Sequence, residues 1–283
     1  MTRLFVDNLT VIDFSYLHPD RGLLGESWLL DVELEGALDY QGMVLDFGEI
    51  KQQVKHAVDD GFDHKLIIPT RYMGASVEKN NQLCEVRFRC ESGEEIYHSG
   101  PISASCLIDA DEISPGNLAR AIEAKLKPIL PNNVFQVTIR LRSENCEGVY
   151  YHVSHGLKHH AGNCQRIAHG HRSCFEIYKD GIRSAQIEAD WAERWNDIYI
   201  GTRDDLIELR EINGRSYCQF GYRSPQGQFE LLLPQDRCYL IDTDSTVENL
   251  AQHIADSLKD QQPTSNFHVR LFEGIAKGAI AEA

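Results

Sequence analysis

The same order of short motifs runs twice through the 283 residues. A chain that repeats at half its length is constrained to fold as two copies of one unit. DFSYL (13–17) faces HVSHGL (152–157), and LLGESW (23–28) faces AHGHRS (168–173), the latter two centred on Gly25 and Gly170. LDFGEIK (45–51) faces ADWAERW (189–195), and SPGNLARAI (114–122) faces TVENLAQHI (246–254). Gly25 and Gly170 are 145 residues apart and Asp46 and Asp190 144, but Asn117 and Asn249 only 132, so the second copy reads as about 12 residues shorter in between. At roughly 150 residues per domain the length also suggests two modules. The repeat puts their boundary in SENCEGV (143–149), giving modules 1–146 and 147–283.

Local patterning gives each copy one plan. Leu30, Val32 and Leu34 alternate with acidic residues, the period of a half-buried strand. Helices are expected over 46–60 and 114–127. Val247, Leu250, Ala251, Ile254, Ala255 and Leu258 form one apolar helical face behind an N-cap at Ser245 or Thr246. Phe267, Val269 and Leu271 alternate along a final strong strand, and extra hairpins fall near 83–108 and 215–233. The expected fold class is α+β, with helices on one face of an antiparallel sheet.

Charge limits the partners. Lys and Arg number 28 against 43 Asp and Glu, a net charge of -15, which argues against nucleic acid and anionic membrane as partners. No run approaches the ~20 apolar residues of a membrane helix. MTRLFVDNLT has no signal-peptide core, so a cytoplasmic location is expected, with the eight cysteines as reduced thiols.

One segment departs from this background. Six of the twelve histidines lie in 152–171, and 148–175 holds no Asp or Glu where the chain average would put about four. His169 and His171 flank Gly170, and alternate residues of a strand share a face, so both imidazoles can meet at one point. His155, on the preceding strand-like run, is the natural third ligand, and three histidines with an open position describe catalytic zinc. A lone H-x-H is more often only a histidine-rich loop. Cys164, in a polar turn between the proposed ligands, is placed for thiolate chemistry, whereas Cys174 reads as core. His152, His159 and His160 read as solvent-facing or supporting residues. Lys158, Arg166 and Arg172 suggest a local anion-binding patch.

These residues carry a family resemblance. SHGL…C-x4-HGH (154–171), STVENLAQHI (245–254), VRLFE (269–273), GMVLDFGEIK (42–51) and FDHKLI (62–67) together resemble the 6-pyruvoyltetrahydropterin synthase family, which includes the 6-carboxytetrahydropterin synthases of queuosine biosynthesis. The resemblance implies His155, His169 and His171 as Zn2+ ligands, Cys164 as general base, and Asp63 with His64 as a proton relay. It implies Glu273 as the anchor of the pterin ring, with Thr246 and Glu248 beside it. It also implies tandem tunnelling-fold modules that assemble into β-barrels. A ring of six single modules would then become a homo-oligomer of three chains, near 96 kDa.

The implied activity is that of a lyase acting on 7,8-dihydroneopterin triphosphate, most simply a 6-carboxytetrahydropterin synthase. The four residues between Cys164 and His169 keep 6-pyruvoyltetrahydropterin formation and aldol-type cleavage of dihydroneopterin open. A non-catalytic pterin-binding protein is the alternative from another class. In the first copy the ligand positions read as Leu17, Leu24 and Glu26, while the second copy lacks an Asp-His pair. Each copy has what the other lacks, so one composite site is expected.

Overall fold

The computed structural model describes residues 2–283. The first half runs β1 (Thr2–His18), β2 (Gly22–Gly36), α1 (Phe47–Gly61), β3 (Leu66–Pro69), β4 (Ala75–Lys79), β5 (Leu83–Arg89), β6 (Glu95–Pro101), β7 (Ser105–Ile108), α2 (Pro115–Leu126) and β8 (Val134–Arg142). The second half follows with β9 (Tyr150–His155), β10 (His169–Lys179), β11 (Ile182–Arg183), α3 (Ala185–Trp195), β12 (Ile198–Thr202), β13 (Leu206–Ile212), β14 (Arg215–Ser224), β15 (Gly227–Pro234), β16 (Cys238–Ile241), α4 (Val247–Gln261), β17 (Phe267–Phe272) and β18 (Gly278–Glu282). Apart from the small additions β11 and β18, the second half repeats the element order of the first. The fold is α+β.

Two sheets have matching strand orders, β7-β3-β1-β2-β8 and β16-β12-β9-β10-β17-β18. They are mixed rather than antiparallel as expected: β1 runs parallel to β3, and β3 to β7, as β9 does to β12 and β12 to β16. A helix or an inserted sheet intervenes before each of these later strands, which lets the chain return in the same direction. The hairpins expected near 83–108 and 215–233 are present as β5–β6 and β14–β15. They merge into one sheet, β13-β14-β15-β6-β5-β4, joined where β6 pairs with β15. Within one chain these sheets end in edge strands, so no barrel is closed among the described residues.

Helix positions follow from caps and apolar faces. Asp46 accepts from the N–H groups of Gly48 and Glu49, Ser114 from Asn117, Ser184 from Ile187 and Thr246 from Asn249. The cap equivalent to Asp46 is thus Ser184; Asp190 lies inside α3. With Ser184 as counterpart, part of the shortening of the second copy moves to the stretch ahead of the helix. What remains is concentrated at the helix, 15 residues in α1 and 11 in α3. Ile50, Val54, Leu118 and Ile122 cover one sheet, and Trp191, Trp195, Leu250 and Ile254 the other.

The opposite faces of the two sheets meet. Ser15 Oγ lies 2.7 Å from Ser154 Oγ, and both side chains are buried. A Cβ on Gly170 would fall 2.6 Å from Gly25 Cα, and a side chain at Gly25 would collide with Val153 O, so neither position admits one. At the sheet junction His98 pairs with Leu231. In the strand registers Ser15 corresponds to Ser154, Gly25 to Gly170 and His98 to Leu231. Corresponding residues therefore touch one another along one internal dyad. This brings loops of one half onto strands of the other.

Candidate active site between the two halves

His155 and His169 are cross-strand partners in the β9–β10 ladder, and His171 follows on β10. One ring nitrogen from each lies within 4.8 Å of the others, and all three residues are buried. The outer nitrogens of two are oriented, His155 Nδ1 3.0 Å from Ser245 O and His169 Nδ1 3.1 Å from Arg166 O, whereas His171 Nδ1 has no hydrogen-bond partner. A carbonyl accepts from Nδ1–H and leaves the Nε2 lone pair free. The Nε2 atoms of all three rings are buried without a hydrogen-bond partner. Unsatisfied buried acceptors are costly, and a cation among them removes that cost. Burial lowers the pKa of His155 to about 3 and that of His169 well below its ordinary value, so both rings are neutral. Three converging buried ring nitrogens, two of them on neutral rings with oriented outer atoms, fit Zn2+.

Cys164 sits in the 3-10 turn 163–165, on the loop joining β9 to β10. Its sulfur, a ring nitrogen of His64 and one of His169 lie within 4.8 Å of one another. The loop is tied down at several points. Leu157 N–H donates to Cys164 O, Tyr222 Oη–H to Gln165 O, and the Gln226 amide to Asn163 Oδ1.

His64 comes from the first half, in the turn between α1 and β3. Its φ of 54° is left-handed, a conformation uncommon outside glycine. Three contacts hold it there. Its N–H donates to Asp13 O at 2.6 Å, and Arg166 Nη1 donates to Asp63 O and His64 O at 3.3 and 3.1 Å. The ring is 5.3 Å from that of His169 and 6.3 Å from that of His171, centroid to centroid. His64 Nδ1 lies 2.5 Å from Asp63 Oδ2. Burial disfavours a charged ring, but hydrogen bonds to Asp63 and Cys164 outweigh it and raise the pKa to about 10. The pair Asp63–His64 and the cluster Cys164, His155, His169 and His171 are therefore adjacent within one chain.

Glu273, at the end of β17, lines a small cavity with His155, His171, Ser173, Val247, Leu250 and Phe272. Its space is about 20 Å³, room for about one water. A bicyclic ring therefore enters only if the wall moves. Thr246 is engaged as the cap of α4, and Glu248 is exposed, so the helix presents Val247 and Leu250 to this cavity. A much roomier groove, about 530 Å³, lies on the inserted sheet among Arg87, Tyr97, Arg210 and Glu230, away from this cluster.

Several features were not visible beforehand. Asp13 Oδ1 is 3.2 Å from His171 Nδ1, Asp13 Oδ2 is 3.1 Å from Lys277 Nζ, and Ser27 Oγ–H donates to Asp13 at 2.5 Å. Burial opposes the charge of Asp13, yet His171, Lys277 and Ser27 hold its carboxyl well below the usual range. The expected basic patch is occupied: Lys158 bonds Asp205 at 2.6 Å, Arg166 bonds main-chain oxygens and Gln226, and Arg172 covers the Tyr150 ring. Of these three cations only Lys158 has a carboxylate partner, and that partner, Asp205, lies outside 148–175. His152 is buried, with Nδ1 2.8 Å from Gly25 O. The register also shows that the residue equivalent to His155 is Tyr16, paired across from Leu24, and not Leu17.

Comparison with known proteins reaches the first half of the chain, in a family match that ends before His155, Cys164, His169 and His171. Residues 12–151 match the profile of the family described as 6-pyruvoyl tetrahydropterin synthase. A protein of Pyrococcus abyssi provisionally named 6-carboxy-5,6,7,8-tetrahydropterin synthase is 22% identical over 140 residues, 48% of this chain and 77% of that protein. Among solved structures, the 6-pyruvoyl tetrahydropterin synthase of Plasmodium vivax is 20% identical with a TM-score of 0.38, covering 50% of this chain and 97% of its own. The Plasmodium falciparum protein is 16% identical with a TM-score of 0.39 over the same shares.

Proposed function

Because the chain belongs, through residues 12–151, to the 6-pyruvoyl tetrahydropterin synthase family, we propose that it is a cytoplasmic zinc-dependent lyase acting on 7,8-dihydroneopterin triphosphate. The favoured product is 6-carboxytetrahydropterin, the precursor in queuosine biosynthesis. The chain would consist of tandem tunnelling-fold modules, 1–146 and 147–283, assembled as a trimer around closed barrels. The observation that carries the reading is the set of three buried, unpartnered Nε2 atoms beside Cys164 and His64.

His155, His169 and His171 would hold Zn2+, which supplies Lewis-acid stabilisation of oxygen charge on the substrate side chain. Glu273 would accept N–H bonds from the pyrimidinone edge of the pterin, fixing the ring at the cavity wall. Cys164, as thiolate, would take a proton from side-chain carbon. His64, held protonated by Asp63, would return a proton to oxygen. Loss of triphosphate with these proton shifts gives a three-carbon 6-pyruvoyl side chain. The 6-carboxy product further requires water to add and the two terminal carbons to leave as acetaldehyde, and no step needs a redox cofactor. The product named for the Pyrococcus relative supports the 6-carboxy outcome over the 6-pyruvoyl one.

The test is incubation of purified protein with 7,8-dihydroneopterin triphosphate, identification of products by mass spectrometry, and metal analysis of the same sample. The expected result is one zinc per chain and release of triphosphate with a tetrahydropterin. Tight pterin binding without triphosphate release would support the non-catalytic alternative instead. Two zinc ions per chain would contradict a single site.

A further inference from the structure

We infer that Asp13 is a positioning residue for the metal site: supplied by the first half, it orients the His171 ring of the second half and couples it to the Asp63–His64 pair. This rests on the proposed reading of the three histidines as metal ligands. The outer nitrogens of His155 and His169 face main-chain oxygens of their own half, Ser245 O and Arg166 O. His171 alone faces a carboxylate, Asp13 Oδ1 at 3.2 Å from the opposite sheet, a charge contact that is not aligned as a hydrogen bond. A carboxylate behind an imidazole fixes its tautomer and makes its far nitrogen a stronger donor.

Asp13 is held from both main chain and side chain. Its N–H donates to Asp63 Oδ1 at 2.9 Å and its carbonyl accepts from His64 N–H, so its backbone sets the turn that carries the relay. Its carboxylate is fixed by Ser27, Lys277 and His171. Gly274 keeps this space open: a Cβ there would lie 2.6 Å from Asp13 Oδ1 and 2.9 Å from Ser27 Oγ. The corresponding place across the dyad pairs the same two chemical groups in reverse order. There His152 occupies the position of Asp13, and its Nδ1 lies 3.8 Å from Glu26, the counterpart of His171.

The test compares wild type, Asp13→Asn and Lys277→Ala by zinc affinity in chelator competition and by the visible absorption of the Co2+-loaded proteins. Asp13→Asn keeps the shape and should weaken zinc roughly 10–100-fold and alter the Co2+ bands. Lys277→Ala leaves the carboxylate beside His171 and should preserve the Co2+ bands. If Asp13→Asn does not fold, Ser27→Ala, which removes one donor to Asp13, should weaken zinc in the same direction by less. Wild-type affinity and bands in the Asp13 variant, or in the Ser27 variant where that replaces it, would overturn the inference. Equal losses in the Asp13 and Lys277 variants would also overturn it, because Asp13 would then be only an ion-pair partner. If wild type itself binds no zinc, the metal reading fails first, and this inference with it.

Discussion

Equivalent positions in the two halves hold opposite kinds of side chain. Where the second half has His155, His169 and His171, the first has Tyr16, Leu24 and Glu26. Where the second has Val153 and Ser173 on the cavity wall, the first has Phe14 and Trp28, stacked edge-on at 5.0 Å and almost fully buried. The first half has filled its own cavity with aromatic rings. The turn residues diverge in the other direction: Asp63–His64 in the first half corresponds to Asn196–Asp197 in the second, and both His64 and Asp197 are left-handed. Asp197 is bound by Arg21 at 2.6 and 2.9 Å, an ion pair between the halves where the other side has the Asp63–His64 pair. The same scaffold thus carries a cluster of His and Cys side chains on one side of its dyad and a packed, ion-paired arrangement on the other. The teaching is that fold and chemistry separate residue by residue, even within one chain.

The sharpest way to break this comparison is to exchange nothing but the turn residues. His64→Asn keeps a side chain that tolerates positive φ and should cost about 10²–10⁴ in turnover, with zinc content unchanged. Asp197→Asn, at the mirrored position, should leave turnover near wild type and lower stability through loss of charge opposite Arg21. Equal effects on turnover would mean that both sides work. A smaller free-energy change is expected from the filled cavity: Trp28→Ala should destabilise the fold by about 3–5 kcal/mol in denaturant titration, the usual cost of deleting a buried indole. A loss below about 1 kcal/mol would show that the first cavity is not packed shut.

Glu26 gives the smallest and most condition-dependent difference. Burial raises its pKa from 4.5 to about 7. The folded protein therefore binds this proton more tightly than the unfolded chain, so the stabilisation is complete below about pH 4.5 and is lost as pH rises through about 7. Glu26→Gln removes that dependence. Its stability relative to wild type should improve by about 2 kcal/mol between pH 5 and pH 8, as measured by denaturation at both values. A pH-independent difference would mean that Glu26 is ionised throughout.

The convergence of the histidines is legible where a short spacing determines geometry. H-G-H on a strand puts two imidazoles on one face, and caps such as Ser114 and Thr246 announce their helices one residue ahead. What the sequence concealed depends on pairing across distance. Asp13 looks like an ordinary strand aspartate until the opposite sheet brings His171 to it. The counterpart of His155 is fixed by strand register as Tyr16, one residue before the Leu17 that motif order suggests. Asp190 mimicked the cap Asp46 in composition, although only Ser184 stands at a helix start. The merger of the inserted strands through β6 and β15 leaves no local mark, because each ladder pair joins residues far apart in the chain.

The contact of Ser15 with Ser154 has an evolutionary consequence. In an assembly of two identical polypeptides, any mutation at such a self-facing contact arrives on both sides at once, and a change tolerable singly is rejected when doubled. Encoding both sides in one reading frame removes that constraint. A substitution at position 154 arrives unaccompanied, and position 15 is free to keep its hydroxyl as a partner. Catalytic and supporting roles can then be divided between the sides by single, independent steps, a route closed to any pair of identical chains.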